Sequence, residues 1–202
     1  MQAVVNGAGS AGPVAVYCGS SAGVDPKFAA AAAELGSALA GAGRTLVYGG
    51  GDVGLMGIVA DAAMDAGGKV IGVIPQHLVR HELAHHRVTS LEVTDSMHER
   101  KARMADLASG FVALPGGFGT FEEVLEILTW TQLGLNRHPV ILLDVAGFYQ
   151  RLFDFFDHAV ESGLLKERHR AAALRASSVA EAMELLDRDH GEVAPKWVDI
   201  DR

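Results

Sequence analysis

The chain predicts an α/β fold, a mostly parallel sheet covered by helices on both faces, on three observations. Short apolar runs recur between helical stretches, at Val14–Tyr17, Thr45–Tyr48, Val70–Ile74, Phe111–Leu114 and Val140–Leu143. Their residues do not alternate between apolar and polar, which is the pattern of strands buried on both faces of a parallel sheet. The runs ending at Tyr17, Tyr48 and Leu114 pass into glycine-rich turns, and sites in such folds lie at the carboxyl ends of the strands. With 202 residues, 49% of them hydrophobic, the chain is long enough for one substantial core and too short for two. The expectation is therefore a single Rossmann-like domain over 14–188, a flexible Gly/Ser/Ala-rich tail over 1–13 and a polar tail over 189–202.

In chain order, Val14–Tyr17 is the first strand, followed by an alanine-rich helix from Lys27 to Ala42 that Gly43 stops. Thr45–Tyr48 is the second strand, with a helix reaching Ala66. Val70–Ile74 is the third, stopped by Pro75. Residues 76–95 read as irregular, polar and histidine-rich. Ser96 opens a helix with Ser96-x-x-Glu99 as its capping box, a hydroxyl and a carboxylate satisfying backbone donors at the helix start. Phe111–Leu114 is the central strand, and the helix after it ends near Gly134. Val140–Leu143 is the next strand, Phe148 to Val160 a helix, Leu174–Ala176 a short strand and Val179 to Leu186 the last helix.

A net charge of −8 argues against non-specific binding to nucleic acid or an anionic membrane, so any anion site must be local. The single cysteine, Cys18, excludes an internal disulfide and a multi-cysteine zinc site, and fits a reducing cytoplasm. No run approaches the ~20 apolar residues that span a bilayer. The N-terminus lacks the basic and apolar regions of a signal peptide.

The most informative stretch is Leu114-Pro115-Gly116-Gly117-Phe118-Gly119-Thr120-Phe121-Glu122-Glu123. Strand, glycine turn and helix start together present free backbone N–H groups to an anion. Glu123 is out of place beside a phosphate, which repels it. Two readings account for it: Thr120-x-x-Glu123 is a capping box, or the carboxylate is catalytic. Cys18-Gly19-Ser20-Ser21 is a second, weaker anion turn, with Ser20 offering a hydroxyl. Gly49-Gly50-Gly51, leading to Gly54, is a third. Convergence of three such turns on one crevice suits a ligand the size of a nucleotide.

Other motifs compete. Gly49-x-Gly51-x-x-Gly54 matches the dinucleotide fingerprint, but the next strand ends Ile74-Pro75-Gln76 without the acidic residue that would hold a ribose. His81-Glu82-x-x-His85 matches a zinc-protease motif. Its flanks are irregular and no third ligand is evident, so it reads as coincidence among solvated histidines, and no metal site is expected. Cys18 reads as a small buried hydrophobe rather than a nucleophile. In Met97-His98-Glu99-Arg100-Lys101, helical spacing puts Arg100 and Lys101 on the apolar stripe near a helix N-terminus, against the helix dipole. Two broken rules at one place suggest cations turned into a polar pocket.

Taken together, Cys18-Gly19-Ser20-Ser21, Tyr48-Gly49-Gly50-Gly51 with Gly54-Leu55-Met56-Gly57, Met97-His98-Glu99-Arg100-Lys101 and Pro115-Gly116-Gly117-x-Gly119-Thr120-x-x-Glu123 resemble the LONELY GUY family, the cytokinin riboside 5′-monophosphate phosphoribohydrolases. The match runs from Val14 to Ser177 with its motifs in the expected order. The resemblance implies hydrolysis of the N-glycosidic bond of a nucleoside 5′-monophosphate, releasing an adenine or N6-prenylated adenine base and ribose 5-phosphate, without a cofactor. It implies Glu123 as base and charge stabiliser and Arg100 as the residue that orients the nucleotide and assists the departing base. Gly116, Gly117, Gly119, Thr120 and Ser20 would hold the phosphate. Gly49, Gly50, Glu82, Met97, Lys101, Phe118, Glu122 and Thr129 would be further substrate contacts, with Met97 and Phe118 suited either to a prenyl tail or equally to packing the core. A homodimer is implied as well. The older label of lysine decarboxylase gains no support, since the glycine motifs carry no lysine for a Schiff base. A carrier or sensor of nucleotides or pterin cofactors on the same fold is the alternative. Pairing of Arg100 with Glu123 would discriminate, because binding alone does not need it.

Overall fold

The computed structural model describes residues 12–79 and 84–191. Most of both expected tails, and Arg80, His81 and Glu82 of the histidine-rich stretch, lie outside the described residues. Seven parallel strands form one sheet in the order β4-β3-β2-β1-β5-β6-β7. They are β1 (Val14–Tyr17), β2 (Leu46–Tyr48), β3 (Val70–Pro75), β4 (Ser90–Thr94), β5 (Phe111–Ala113), β6 (Val140–Leu143) and β7 (Ala173–Ala176). The helices are α1 (Pro26–Gly41), α2 (Gly54–Asp65), α3 (Met97–Leu107), α4 (Phe118–Gln132), α5 (Gln150–Glu161), α6 (Glu167–Arg170) and α7 (Val179–Asp187). β1 pairs with β2 on one side and β5 on the other, with Val16 opposite both Tyr48 and Val112. Strand order reverses at this point, and the crevice it opens lies beyond the carboxyl ends of β1 and β5.

The pleat divides the core in two. Val14 and Val16 face α1, α2 and α7, packing with Leu35, Leu39, Val59 and Leu185. Ala15 and Tyr17 point the other way, to Met104 of α3, Val124 and Ile127 of α4 and Phe153 of α5. Both faces of the central strands are thus covered, which explains their unbroken apolar runs. Each large aliphatic side chain so buried contributes about 1.5–3 kcal/mol.

Local signals set the helix starts. Asp25 caps α1 by accepting from the Lys27 N–H at 2.9 Å, with Pro26 behind it. Ser96 caps α3 as expected: its Oγ accepts from the Glu99 N–H at 3.1 Å, and Glu99 accepts from the Asp95 N–H at 3.0 Å.

One sequence expectation is corrected, and one of two open readings is closed. Residues 76–95 are not irregular throughout, since Ser90–Thr94 is the edge strand β4, in register with β3 from Ile71 to Pro75. Its side chains are half-buried or exposed, so it lacks the apolar run that marks the other strands. The Thr120–Glu123 capping box does not form. Gly117 is the N-cap of α4, with no side-chain cap, which puts Thr120 inside the first turn and Glu123 in the second.

Candidate active site

Arg100 is the side chain around which the crevice is built. It leaves the first turn of α3 and is 7% exposed. Its Nε donates to the Val73 carbonyl of β3 at 3.1 Å, and its Nη2 to the Gly49 carbonyl after β2 at 3.3 Å. Nη2 also lies 3.7 Å from Glu123 Oε1. The guanidinium thus bridges two strand ends and a carboxylate. A side chain on Gly49 would occupy its place, because a Cβ there would lie 1.9 Å from Nη2.

Glu123 projects from the second turn of α4 and is 8% exposed. Burying a carboxylate is costly without a partner, and Arg100 supplies the opposite charge. The same negative field reaches its neighbours. The Cys18 thiol is pushed up chiefly by burial and then by Glu123, and the Tyr17 hydroxyl likewise. Cys18 is therefore a thiol at neutral pH, and nucleophilic attack requires a thiolate.

The glycine turns meet as expected. The Gly19 N–H donates to the Pro115 carbonyl at 3.1 Å, and the Leu55 N–H to the Gly19 carbonyl at 3.1 Å, tying the turns after β1, β2 and β5 together. Gly116 sits so close to its neighbours that a Cβ would lie 2.1 Å from Thr120 Oγ1 and 2.9 Å from the Gly19 nitrogen. The first turn of α4 opens onto the crevice with its backbone donors unclaimed by the helix, the arrangement that holds phosphate.

The resulting crevice, about 230 Å³, is lined by the Cys18–Ser20 turn, Met56, Met97, Arg100, Gly117–Thr120, Glu122 and Glu123. The structure therefore gathers Ser20, Met97, Arg100, Gly117, Phe118, Gly119, Thr120, Glu122 and Glu123 in one place. Phe118 stands 93% exposed at its mouth, while Gly49 and Gly116 do not line it: Gly49 packs against Arg100, and Gly116 against Thr120 and Gly19. Gly50 lies deeper, against Ile74.

Other expected contacts are elsewhere. Lys101 does not reach the crevice. Its ammonium is claimed by Glu122 and by Glu126 of α4, the latter at 3.0 Å. Burial works against the charge, but the two carboxylates outweigh it and hold the Lys101 pKa above its ordinary value. Thr129 hydrogen-bonds the Leu125 carbonyl at 2.7 Å and lines a separate cavity with Leu125, Leu128 and Phe156. Glu82 lies outside the described residues. Met56, a crevice wall beside Arg100, stands within the Gly54-Leu55-Met56-Gly57 motif, whose glycines and not its methionine carry the sequence signal.

Arranged in this way, the crevice can hold a phosphate at the α4 N-terminus, present a carboxylate to an electron-poor centre and offer guanidinium donors beside it. Among the described residues no lysine lines it, which leaves Schiff-base chemistry without a nucleophile there.

Comparison with known proteins agrees with this geometry. A family model described as "Possible lysine decarboxylase" matches residues 56–186. The cytokinin riboside 5′-monophosphate phosphoribohydrolase LOG of Oryza sativa subsp. japonica is 45% identical over 92% of this chain and 78% of its own. LOG7 of Arabidopsis thaliana, of the same name, is 42% identical over 94% of this chain and 89% of its own. Among solved structures, the molybdenum cofactor binding protein of Rippkaea orientalis superposes with a TM-score of 0.65 at 27% identity, over 86% of this chain and 94% of that one. A common fold thus serves both a hydrolase family and a cofactor-binding protein, and the sequence identity over most of the chain separates them: this protein belongs to the LOG family of cytokinin riboside 5′-monophosphate phosphoribohydrolases.

Proposed function

We propose that the protein hydrolyses the N-glycosidic bond of an adenosine 5′-monophosphate, with an N6-prenylated base as the cytokinin substrate, to free base and ribose 5-phosphate. The observation that carries this reading is the buried Glu123 carboxylate 3.7 Å from Arg100, beside a phosphate-holding helix start. The 5′-phosphate binds the N–H groups of Gly117, Gly119 and Thr120, with the Ser20 hydroxyl opposite. This turns the ribose so that its anomeric carbon faces Glu123. As the bond to the base breaks, its electron pair leaves with the base and positive charge develops on the sugar, which the carboxylate stabilises. Water attacks the anomeric carbon and gives up a proton to Glu123. Arg100 donates hydrogen bonds to the departing base, which takes up a proton as it leaves.

Met56, Met97 and Phe118 give the base end an apolar lining suited to a prenyl tail. A carrier has no use for a buried ion pair aimed at the sugar, and the LOG homologues favour hydrolysis over carriage. No cofactor is needed for this route. Among the described residues no helix is long and apolar enough to cross a membrane, and with a lone buried cysteine we assign the protein to the cytoplasm.

We also assign it a homodimer. The crevice of one chain is smaller than the ~300–1,000 Å³ typical of small-molecule sites. The outward face of α4 carries half-exposed Leu125 beside Thr129, next to the apolar cavity under α5. Sedimentation of the purified protein as a monomer at micromolar concentration would contradict this assignment.

The decisive variant is Glu123→Gln, which keeps the shape and removes the charge. Turnover should fall at least ~100-fold, the lower bound for acid–base participation, while nucleotide affinity stays within a few-fold. A variant that turns over normally, or one that loses binding and stability together, would show that Glu123 is structural.

A further inference from the structure

On the β6 side of the turn between β5 and α4, a buried hydroxyl holds the backbone. Tyr149 caps the start of α5 and is 1% exposed. Its ring packs with Phe121 and Phe148, at centroid distances of 6.3 and 5.0 Å. A phenylalanine would fill that aromatic setting equally well, so the oxygen needs its own reason. It donates to the Leu114 carbonyl at 2.7 Å. We propose that Tyr149 is a positioning residue for the phosphate cradle: by holding the Leu114 carbonyl it fixes the turn that brings Gly117 and the start of α4 to the 5′-phosphate. This role rests on the reading of the α4 start as the phosphate site.

The turn needs such a hold. β5 pairs with β6 as far as Ala113 opposite Leu142, so the Leu114 carbonyl lies past the ladder. The next residue, Pro115, has no N–H to donate, and the two glycines after it bring no side chains to anchor the turn. On the β1 side two backbone bonds secure it. The Leu114 N–H donates to the Tyr17 carbonyl at 2.9 Å, and the Gly19 N–H to the Pro115 carbonyl at 3.1 Å. Tyr149 supplies a bond from the opposite side. Because the peptide unit is planar, fixing the Leu114 carbonyl also fixes the plane in which the chain enters Pro115.

Tyr149 is itself anchored. Its N–H donates to Asp144 Oδ1 at 2.6 Å, just past β6. The Asp144 side chain is 2% exposed, and Arg175 of β7 donates from Nε to its Oδ2 at 2.9 Å. Arg175, Asp144, Tyr149 and Leu114 thus form a run of hydrogen bonds from the edge strand β7 to the cradle. Burial raises the Tyr149 pKa above the ordinary phenol range, so at neutral pH the hydroxyl is a donor. None of the four residues lines the catalytic crevice, so their effect on a nucleotide passes through the turn.

The test compares the full chain with Tyr149→Phe, which keeps the ring and removes the donor. Calorimetry with ribose 5-phosphate reads the cradle, and steady-state kinetics with AMP separate KM from kcat. The expected result is a ribose 5-phosphate affinity at least about tenfold weaker, the loss of one hydrogen bond to a charged group. KM for AMP rises by a similar factor with kcat within a few-fold, the signature of lost uniform binding, and affinity for adenine stays within a few-fold. A hydroxyl that only supports the fold would lower the thermal midpoint and leave ribose 5-phosphate affinity and KM at wild-type values, which would overturn the proposal. A wild type that binds no ribose 5-phosphate would show that the α4 start holds no phosphate, and the role of Tyr149 would fall with it. If Tyr149→Phe does not fold, Arg175→Gln, at an exposed position, carries the test: weaker ribose 5-phosphate binding supports the run of hydrogen bonds, and wild-type binding overturns it.

Discussion

Gly49 and Arg100 are coupled by what Gly49 lacks. The guanidinium occupies the space where a side chain at position 49 would begin, and the Gly49 carbonyl holds it there. The obstructing atom is the tip of a flexible side chain, so Gly49→Ala should leave the fold nearly as stable while pushing Arg100 off its hydrogen bonds. Misplacement of a catalytic group by about 1 Å can cost ~100-fold in rate. We expect a loss of that order in kcat with a thermal midpoint close to wild type, checked by steady-state kinetics and a melting curve on the same preparation. At this scale, the sequence carried the idea that Arg100 turns into a pocket, because two cations on an apolar stripe are anomalous. It did not separate the two. Arg100 faces the crevice, whereas Lys101, one position on, meets Glu122 and Glu126. That difference depends on the rotation of α3 over α4, which no local pattern encodes.

Helix α4 delivers the phosphate cradle and Glu123, and its alignment to α3 rests partly on Lys101. Both its partners belong to α4, so the lysine acts as a clamp between the helix that carries Arg100 and the helix that carries Glu123. Because the folded state raises the Lys101 pKa above the ordinary 10.5, the clamp's stabilisation is fully present below that value. It is lost as pH rises through the higher folded value. The thermal midpoint of Lys101→Met should lie below that of the wild type at neutral pH, and the gap should close in strongly alkaline solution. A gap that persists there would mean that Lys101 acts through packing alone. The same helix shows why the capping reading of Thr120-x-x-Glu123 fails. A capping box needs its hydroxyl at the N-cap, and the glycine turn is short enough for α4 to begin at Phe118, with Gly117 in that role. Ser96-x-x-Glu99 fits the same pattern and does form, because Ser96 itself is the N-cap of α3.

For the whole molecule, the sheet was legible wherever strands are buried on both faces, and the glycine turns marked the carboxyl ends where the crevice lies. What escaped lies at the edge beyond β3. Strand β4 has mixed polarity because only part of it is covered. His85 is buried although the stretch around it is rich in charged and histidine residues, and Asp52 and Asp61 come to it from distant positions. Long-range pairing of this sort leaves no periodic trace. The convergence of three turns, by contrast, follows from topology alone once the strands are known to be parallel. Hydrolysis is tested most directly by chromatography of the products after wild-type protein, in chelator, is given isopentenyladenosine 5′-monophosphate and, separately, AMP. Free isopentenyladenine with an equal amount of ribose 5-phosphate is expected, undiminished by the chelator. Recovery of intact, bound nucleotide with no free base from either substrate would contradict a hydrolytic role.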